Sequence, residues 1–152
     1  ISPAYKCNMT DLQAAIGLAQ LERYDQMLVR RQEIIAKYDE VLREYNVTLL
    51  NHKDEHHVSS GHLYFMRVDG IDEAERNSII EAFAAKGIAT NVHYKPLPML
   101  TAYKNMGFDI KDYPNAYNLF ANEITLPLHT RLTDEEVNYV IENFVRIIES
   151  IR

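Results

Sequence analysis

Features that mark several common protein classes are scarce in this sequence. Its single cysteine, Cys7, cannot form a disulfide within the chain. No stretch approaches the roughly 18 consecutive apolar residues of a transmembrane helix. The five glycines stand singly, so they form no glycine-rich loop around a phosphate, and no nucleophile elbow is present. These absences predict a cytoplasmic protein without a membrane partner, and with no complete active site of its own.

Positive charge is also scarce. The chain has 16 Lys and Arg against 22 Asp and Glu, which gives a formal net charge of -6 at pH 7. A nucleic-acid partner requires clustered basic residues on one surface. Here Arg30 and Arg31 are interleaved with Glu33 and Asp39, as on the solvated face of a helix. Nucleic acid is therefore not an expected partner.

The length and the apolar content limit the domain organisation. A chain of 152 residues with 47% hydrophobic residues can bury one core but not two comfortable ones. It contains no Pro-rich or Ser/Gly-rich linker and no internal repeat. It begins "ISPAYK", without an initiator Met, as expected of a fragment. We therefore expect residues 1–152 to form one domain of a longer protein.

Capping patterns predict where helices begin. Thr10 followed by Gln13 forms a capping box, so a helix is predicted from about Asp11, and apolar residues at helical spacing extend it to about Tyr45, with a bend near Tyr24. The same pattern recurs twice later in the chain. It predicts a helix of about four turns that begins after residue 72, and a terminal helix that begins after residue 133.

Three short apolar stretches read as strands. They are "HLYFMRV" (62–68), "IATNVHY" (88–94) and "ITLPL" (124–128). Short helices are predicted within 101–106 and 114–123, and the polar stretch 51–61 reads as a loop. Together these elements predict an α+β domain, in which a small sheet of about three strands is covered by helices on one side and follows a long N-terminal helix.

A histidine cluster suggests a metal site at first sight. His52 and His56 would lie one turn apart if this stretch were helical, and they could then share a zinc ion. The stretch reads as a loop, however, and spacing places no third ligand beside His52, His56 and His57. Solvated loop histidines are the better interpretation, so no metal is expected.

Two polar edges could contribute to a site. In "YKCN", Lys6 and Asn8 precede the first helix, where backbone amides and the helix dipole favour an anion. The alternative is an exposed lysine and a turn asparagine. In "NVHYKPLP", His93 and Tyr94 leave a predicted strand just before a loop held by prolines, a usual place for functional side chains. The alternative is a core tyrosine and a histidine that only ends the strand.

Several blocks of this sequence closely resemble the DegT/DnrJ/EryC1/StrS family of aminotransferases. The longest is "YKCNMTDLQAAIGLAQLERYDQMLVRRQEIIAKYDEVL", and the similarity continues in order through "HLYFMRVD", "AAKGIATNVHYKPL" and "YPNAYNLFANEITLPLHTRLTDEEVNYVIENF". Together they cover nearly the whole chain. They match the part of the family that follows its large catalytic domain.

The resemblance implies a fold and an activity. Family members are fold-type I enzymes that use pyridoxal 5′-phosphate, and they usually move an amino group from glutamate to a keto sugar linked to a nucleotide. The chain resembles only their small C-terminal domain. The lysine that binds the cofactor lies upstream of it in the family, so this chain carries no catalytic residue of that kind and should be inactive alone.

The resemblance also implies roles for the two polar edges. Members are homodimers in which the strap before the first small-domain helix helps to hold the cofactor phosphate of the neighbouring subunit. Lys6 and Asn8 match that strap and are implied cofactor-binding residues. His93 and Tyr94 match a pair near the sugar nucleotide and are implied substrate-binding residues.

Two functions from different classes remain open at this stage. The leading one is the C-terminal domain of a cytoplasmic sugar-nucleotide aminotransferase, which serves surface polysaccharide or modified-sugar biosynthesis. The rival is a non-catalytic interaction or regulatory module that shares the same scaffold. A large domain that carries the cofactor lysine would separate the two.

Overall fold

The computed structural model describes residues 8–151, in which helices pack against a small antiparallel sheet. The strands are β1 (Val47–Leu49), β2 (Tyr64–Val68) and β3 (Glu123–Leu126). The helices are α1 (Asp11–Leu21), α2 (Tyr24–Leu42), α3 (Glu73–Ala85), α4 (Thr101–Asn105), α5 (Pro114–Ala121) and α6 (Asp134–Ile151). Two short 3-10 turns lie at Leu97–Met99 and Ile110–Asp112. The predicted α+β class is confirmed.

Reciprocal capping fixes the starts of three helices, as predicted. At α1, the Gln13 amide donates to the Thr10 hydroxyl over 3.3 Å, and the Thr10 amide donates to the Gln13 side chain over 2.9 Å. Asp72 with Glu75 forms the same box at α3. At α6, the Thr133 amide donates to Glu136 over 2.9 Å, and the Glu136 amide donates back to the Thr133 hydroxyl. Each box satisfies amides that the helix itself leaves unpaired.

The long N-terminal helix of the prediction is two helices. Helix α1 ends at Leu21, and α2 begins at Tyr24, where the sequence predicted a bend. The two helices differ in their packing, because α1 has no buried residue whereas α2 buries four. The apolar residues of α1, such as Leu12 and Ile16, are exposed. Within residues 8–151, nothing covers this side of α1.

The sheet has the predicted number of strands but not the predicted set. Its order is β1-β2-β3, and both pairings are antiparallel. Residues 88–94 do not form a strand, and only Asn91 bridges to Thr125. Two backbone amides of this segment donate to side chains and not to a neighbouring strand. The amide of Val92 donates to the side chain of Asn91, and the amide of His93 donates to the side chain of Glu123, each over 2.8 Å. The missed strand β1 is only three residues long and pairs with the edge of β2.

One face of the sheet carries the core. Tyr64, Met66 and Val68 of β2 lie on this face together with Ile124 and Leu126 of β3, and all five are buried. Three helices complete the same apolar cluster, with residues that include Ile34 and Tyr38 of α2, Ile79 and Phe83 of α3, and Val140 and Phe144 of α6. The other face of the sheet remains available for other contacts.

Within residues 8–151, no helix combines the length and the hydrophobicity that a membrane crossing requires.

Candidate functional site

A cavity of about 380 Å³ lies on the second face of the sheet. Phe65 and Arg67 of β2 form its floor, and Leu119 of α5 lines one side. His93 and Tyr94 line it from the loop that replaces the predicted second strand. A mostly apolar cavity with a few convergent polar groups is the usual form of a small-molecule site.

Glu123, the first residue of β3, lies at the base of this cavity. The residue is 5% exposed, yet both of its carboxylate oxygens have partners. Oε2 accepts a hydrogen bond from the backbone amide of His93 over 2.8 Å. Oε1 accepts one from the hydroxyl of Thr125 over 2.6 Å. Burial raises the pKa of Glu123, because a low-dielectric surrounding disfavours the charged form.

Thr125 connects this carboxylate to a histidine ring. Its Oγ1 lies 2.7 Å from Nδ1 of His93. Glu123 and Thr125 are alternate residues of β3 and therefore project from the same face of the sheet. The result is a continuous chain of hydrogen bonds from Glu123 through Thr125 to the imidazole of His93.

Arg76 of α3 holds the backbone that carries Glu123, the first residue of this series of hydrogen bonds. Arg76 is 2% exposed, and its Nη1 donates to the carbonyl oxygens of Phe120, over 3.0 Å, and of Glu123, over 3.3 Å. Its guanidinium carbon also lies 4.7 Å from the centroid of the Phe120 ring. Burial lowers the pKa of Arg76. The arginine therefore fixes the junction of α5 and β3, where the carboxylate of Glu123 originates.

Arg67 is held on the cavity side of β2. Its Nε donates to the side chain of Asn122 over 2.9 Å, and its Nη2 donates to the carbonyl oxygen of Asn118 over 3.3 Å. Asn122 is anchored in turn, because its side-chain amide donates to the carbonyl oxygen of Val68 over 3.0 Å. These bonds position a positive charge at the cavity.

The structure brings together one of the two predicted pairs. His93 and Tyr94 both line the cavity, with their ring centroids 4.7 Å apart in an edge-to-face arrangement. Their shared peptide bond is cis. Tyr94 is 74% exposed, so the alternative interpretation of Tyr94 as a core residue is wrong.

The other predicted pair is only partly described. Asn8 is exposed and lies two residues before Thr10, the N-cap of α1. Lys6 lies outside the described residues. The role of Lys6 and Asn8 at a phosphate therefore stays a prediction.

Sequence reasoning missed four residues of the site: Arg67, Arg76, Glu123 and Thr125. A signal for two of them was present, because "EITL" alternates polar and apolar residues with the period of a strand whose two faces differ. A signal for Arg76 was its position three and seven residues before Ile79 and Phe83, on the apolar stripe of α3.

The structure places the histidines of the 51–61 loop in different environments. Among residues 8–151, no group of three or more His, Cys, Asp or Glu side chains is placed to hold a metal ion. His56 and His57 are exposed, as expected for loop residues. The same expectation is wrong for His52, which is 4% exposed and stacks on Tyr64 at 5.6 Å between ring centroids. Burial lowers the pKa of His52.

A family comparison agrees with the sequence resemblance. The model of the DegT/DnrJ/EryC1/StrS aminotransferase family matches residues 2–145. The chain belongs to this family. The match includes the loop with His93 and all of β3, so the candidate site lies within the matched part of the chain.

Relatives within the aminotransferase family include proteins of sugar metabolism. SpsC, a spore coat polysaccharide biosynthesis protein of Bacillus subtilis, is 38% identical over 146 residues, which are 93% of this chain and 37% of SpsC. The UDP-4-amino-4,6-dideoxy-N-acetyl-beta-L-altrosamine transaminase of Campylobacter jejuni is 28% identical over 153 residues, which cover 100% of this chain and 40% of that protein.

The fold has a close match among solved structures of the same family. Spr1654 of Streptococcus pneumoniae, a candidate sugar aminotransferase, is 55% identical in its PLP form and superimposes with a TM-score of 0.92. The match covers 100% of this chain and 39% of Spr1654. The PMP form of Spr1654 gives a TM-score of 0.91. The chain therefore spans about two fifths of the length of the relatives that it matches.

Proposed function

We propose that this chain is the C-terminal domain of a pyridoxal 5′-phosphate-dependent sugar aminotransferase. The complete enzyme would transfer an amino group, from glutamate as donor, to a keto sugar linked to a nucleotide, in the cytoplasm. Its product would serve surface polysaccharide or modified-sugar biosynthesis. The observation that carries the proposal is the match over the whole chain to the PLP form of Spr1654, at 55% identity and a TM-score of 0.92.

The chemistry of the cavity suits one part of such a substrate. Sugar rings present hydroxyl groups beside apolar C–H faces, and the cavity offers the aromatic rings of Phe65 and Tyr94 beside the polar ring of His93. Arg67 adds a guanidinium that suits the negative charge of a nucleotide diphosphate. We therefore assign this cavity as one wall of the substrate site, with His93 and Tyr94 as substrate-binding residues.

The start of α1 fits the phosphate of the cofactor. Asn8 is exposed beside this helix end, where the dipole is positive, and Lys6 would add a full charge from the preceding residues. When bound, the cofactor supplies the electron sink that moving an amino group requires. The lysine that holds the cofactor is expected in the domain that precedes this chain. Lys6 and Asn8 would contribute phosphate binding only.

The uncovered side of α1 fits a chain that is part of a larger assembly. Leu12, Ile16, Leu18 and Leu21 are all exposed large apolar residues of this helix. Leu12 and Ile16 lie on one side of the helix and Leu18 and Leu21 on the other, and apolar residues exposed all round a helix are typical of an element that is buried in a larger assembly. We assign this apolar surface to the remainder of the polypeptide and to the second subunit of a homodimer.

Reductive trapping tests the proposed function. The complete polypeptide that contains this chain is incubated with pyridoxal 5′-phosphate, reduced with borohydride and digested for peptide mass mapping. A parallel sample without borohydride is the control. We expect one pyridoxyl adduct, on a lysine upstream of Ile1, and formation of 2-oxoglutarate from glutamate when a nucleotide-linked keto sugar is added.

The opposite result would overturn the proposal. A folded, complete protein that gives no adduct and no 2-oxoglutarate would exclude transamination. The interaction module would then be the better account of this chain.

A further inference from the structure

The carboxylate of Glu123 is buried but lies outside the apolar core. It lies on the face of the sheet opposite the apolar cluster, and its partners are the amide of His93 and the hydroxyl of Thr125. Burial of a carboxylate costs free energy even when it is hydrogen-bonded, and apolar replacements are often more stable. A buried charge of this kind beside a cavity indicates a functional constraint.

The number of protons along the hydrogen-bonded chain fixes the direction of each bond. When Glu123 is ionised, its carboxylate only accepts hydrogen bonds, so Thr125 then donates its one hydroxyl proton to Glu123. The oxygen of Thr125 is then the acceptor for Nδ1 of His93, 2.7 Å away. A neutral imidazole carries one proton, and here that proton must lie on Nδ1.

We propose that Glu123, acting through Thr125, holds His93 in the Nδ1–H tautomer, so that Nε2 accepts a hydrogen bond from a hydroxyl of the sugar bound in the cavity. Glu123 and Thr125 are then positioning residues, and His93 is the group that contacts the ligand. The identity of the ligand rests on the proposed function. The tautomer of His93 does not.

The backbone amide of His93 makes this arrangement testable by a single substitution. It donates to Oε2 of Glu123 over 2.8 Å, so an oxygen must occupy that position. In Glu123→Gln, the NH₂ group must therefore occupy the position of Oε1, beside Thr125. It would donate to the hydroxyl oxygen of Thr125, and the hydroxyl proton would turn toward Nδ1 of His93. The substitution thus reverses the direction of both hydrogen bonds, from residue 123 to Thr125 and from Thr125 to His93, and it moves the ring proton of neutral His93 to Nε2.

Thr125 provides a matched pair of control variants. Thr125→Ser keeps the hydroxyl and should keep the Nδ1–H tautomer. Thr125→Val has nearly the same shape without the hydroxyl, so it disconnects His93 from Glu123 and should leave a mixture of tautomers.

The test reads the tautomer directly. The complete protein is labelled with ¹³C and ¹⁵N in histidine, and His93 is assigned by its loss in His93→Gln. Ring shifts recorded in alkaline buffer, at about pH 8, distinguish the two tautomers of a neutral imidazole. We expect Nδ1–H in the wild type and in Thr125→Ser, and Nε2–H in Glu123→Gln.

An Nε2–H wild type would overturn the proposal by itself, as would a Glu123→Gln variant with the wild-type tautomer. The spectra come from resting protein, so they remain decisive if the protein does not transaminate. For the ligand, we expect KM for the nucleotide-linked keto sugar to rise about tenfold in Glu123→Gln, because Nε2 would then donate and the sugar hydroxyl would have to turn its own proton away from the ring, which leaves that proton without its acceptor. An unchanged KM would overturn the role of Nε2 in sugar binding.

Discussion

The two faces of β3 are buried to a similar degree but carry opposite kinds of residue. Ile124 and Leu126 enter the apolar core, whereas Glu123 lines the cavity and Thr125 projects from the same face of the sheet as Glu123. Burial alone therefore does not separate the core of this domain from its candidate site. The difference lies in the contacts that each face makes. The side chains of Ile124 and Leu126 make apolar contacts, whereas those of Glu123 and Thr125 form hydrogen bonds to His93, in a loop outside the sheet.

The two faces also differ in the sign of their contribution to stability. Complete burial of an aliphatic side chain such as Ile124 stabilises the fold by about 1.5–3 kcal/mol. Burial of the charged form of Glu123 is unfavourable, which is why its pKa is raised. The polar face is therefore explained by ligand recognition and not by folding.

The largest expected effect is on the apolar face. Ile124→Ala would leave a cavity in the core and should lower the free energy of opening by about 2–5 kcal/mol. Hydrogen exchange of the β2 and β3 amides in the complete protein measures this loss. Glu123→Gln, at the adjacent residue, is the control and should lose no protection. Equal losses in both variants would contradict the division between the faces.

An intermediate effect is expected at Arg76, which holds the junction between α5 and β3. Arg76→Met would leave the carbonyl oxygens of Phe120 and Glu123 without their side-chain donor, and should cost about 1–3 kcal/mol by the same exchange measurement. Arg146→Met is the matched control, because Arg146 is exposed on α6. If Arg76→Met were as mild as the control, Arg76 would not anchor the α5–β3 junction.

The smallest effect is expected on the polar face and depends on pH. Because the folded pKa of Glu123 is raised above its ordinary 4.5, its stabilising contribution is complete below that value and is lost as the pH rises through the raised pKa. Glutamine stays neutral at every pH. Glu123→Gln should therefore gain stability relative to the wild type between about pH 5 and about pH 8. Urea unfolding at both pH values checks this, and a difference that shrinks with rising pH would contradict it.

Local patterns predicted the helices well, because their signals lie within a few residues. The capping boxes at Thr10, Asp72 and Thr133 each marked a helix start. Strands depend on partners that are distant in sequence, so β1 was missed and residues 88–94 were wrongly predicted as a strand. In that segment, the backbone amide of His93 donates to the side chain of Glu123, a residue thirty positions later in the sequence.

The candidate site was predicted only in part for the same reason. His93 and Tyr94 were found through their position before a proline-held loop and through the family resemblance. Glu123 and Thr125 belong to the site only because the fold brings β3 beside that loop. A polar side chain that becomes functional through a distant contact leaves little trace in its own neighbourhood of the sequence.

The most direct test of the division between the faces compares Ile124→Ala and Glu123→Gln in the complete enzyme. Unfolding midpoints and KM for the nucleotide-linked keto sugar are measured for both variants. We predict that Ile124→Ala lowers the midpoint with little change in KM, and that Glu123→Gln raises KM about tenfold with an equal or higher midpoint. A Glu123→Gln enzyme with unchanged KM and a lowered midpoint would contradict the account, because the polar face would then serve the fold.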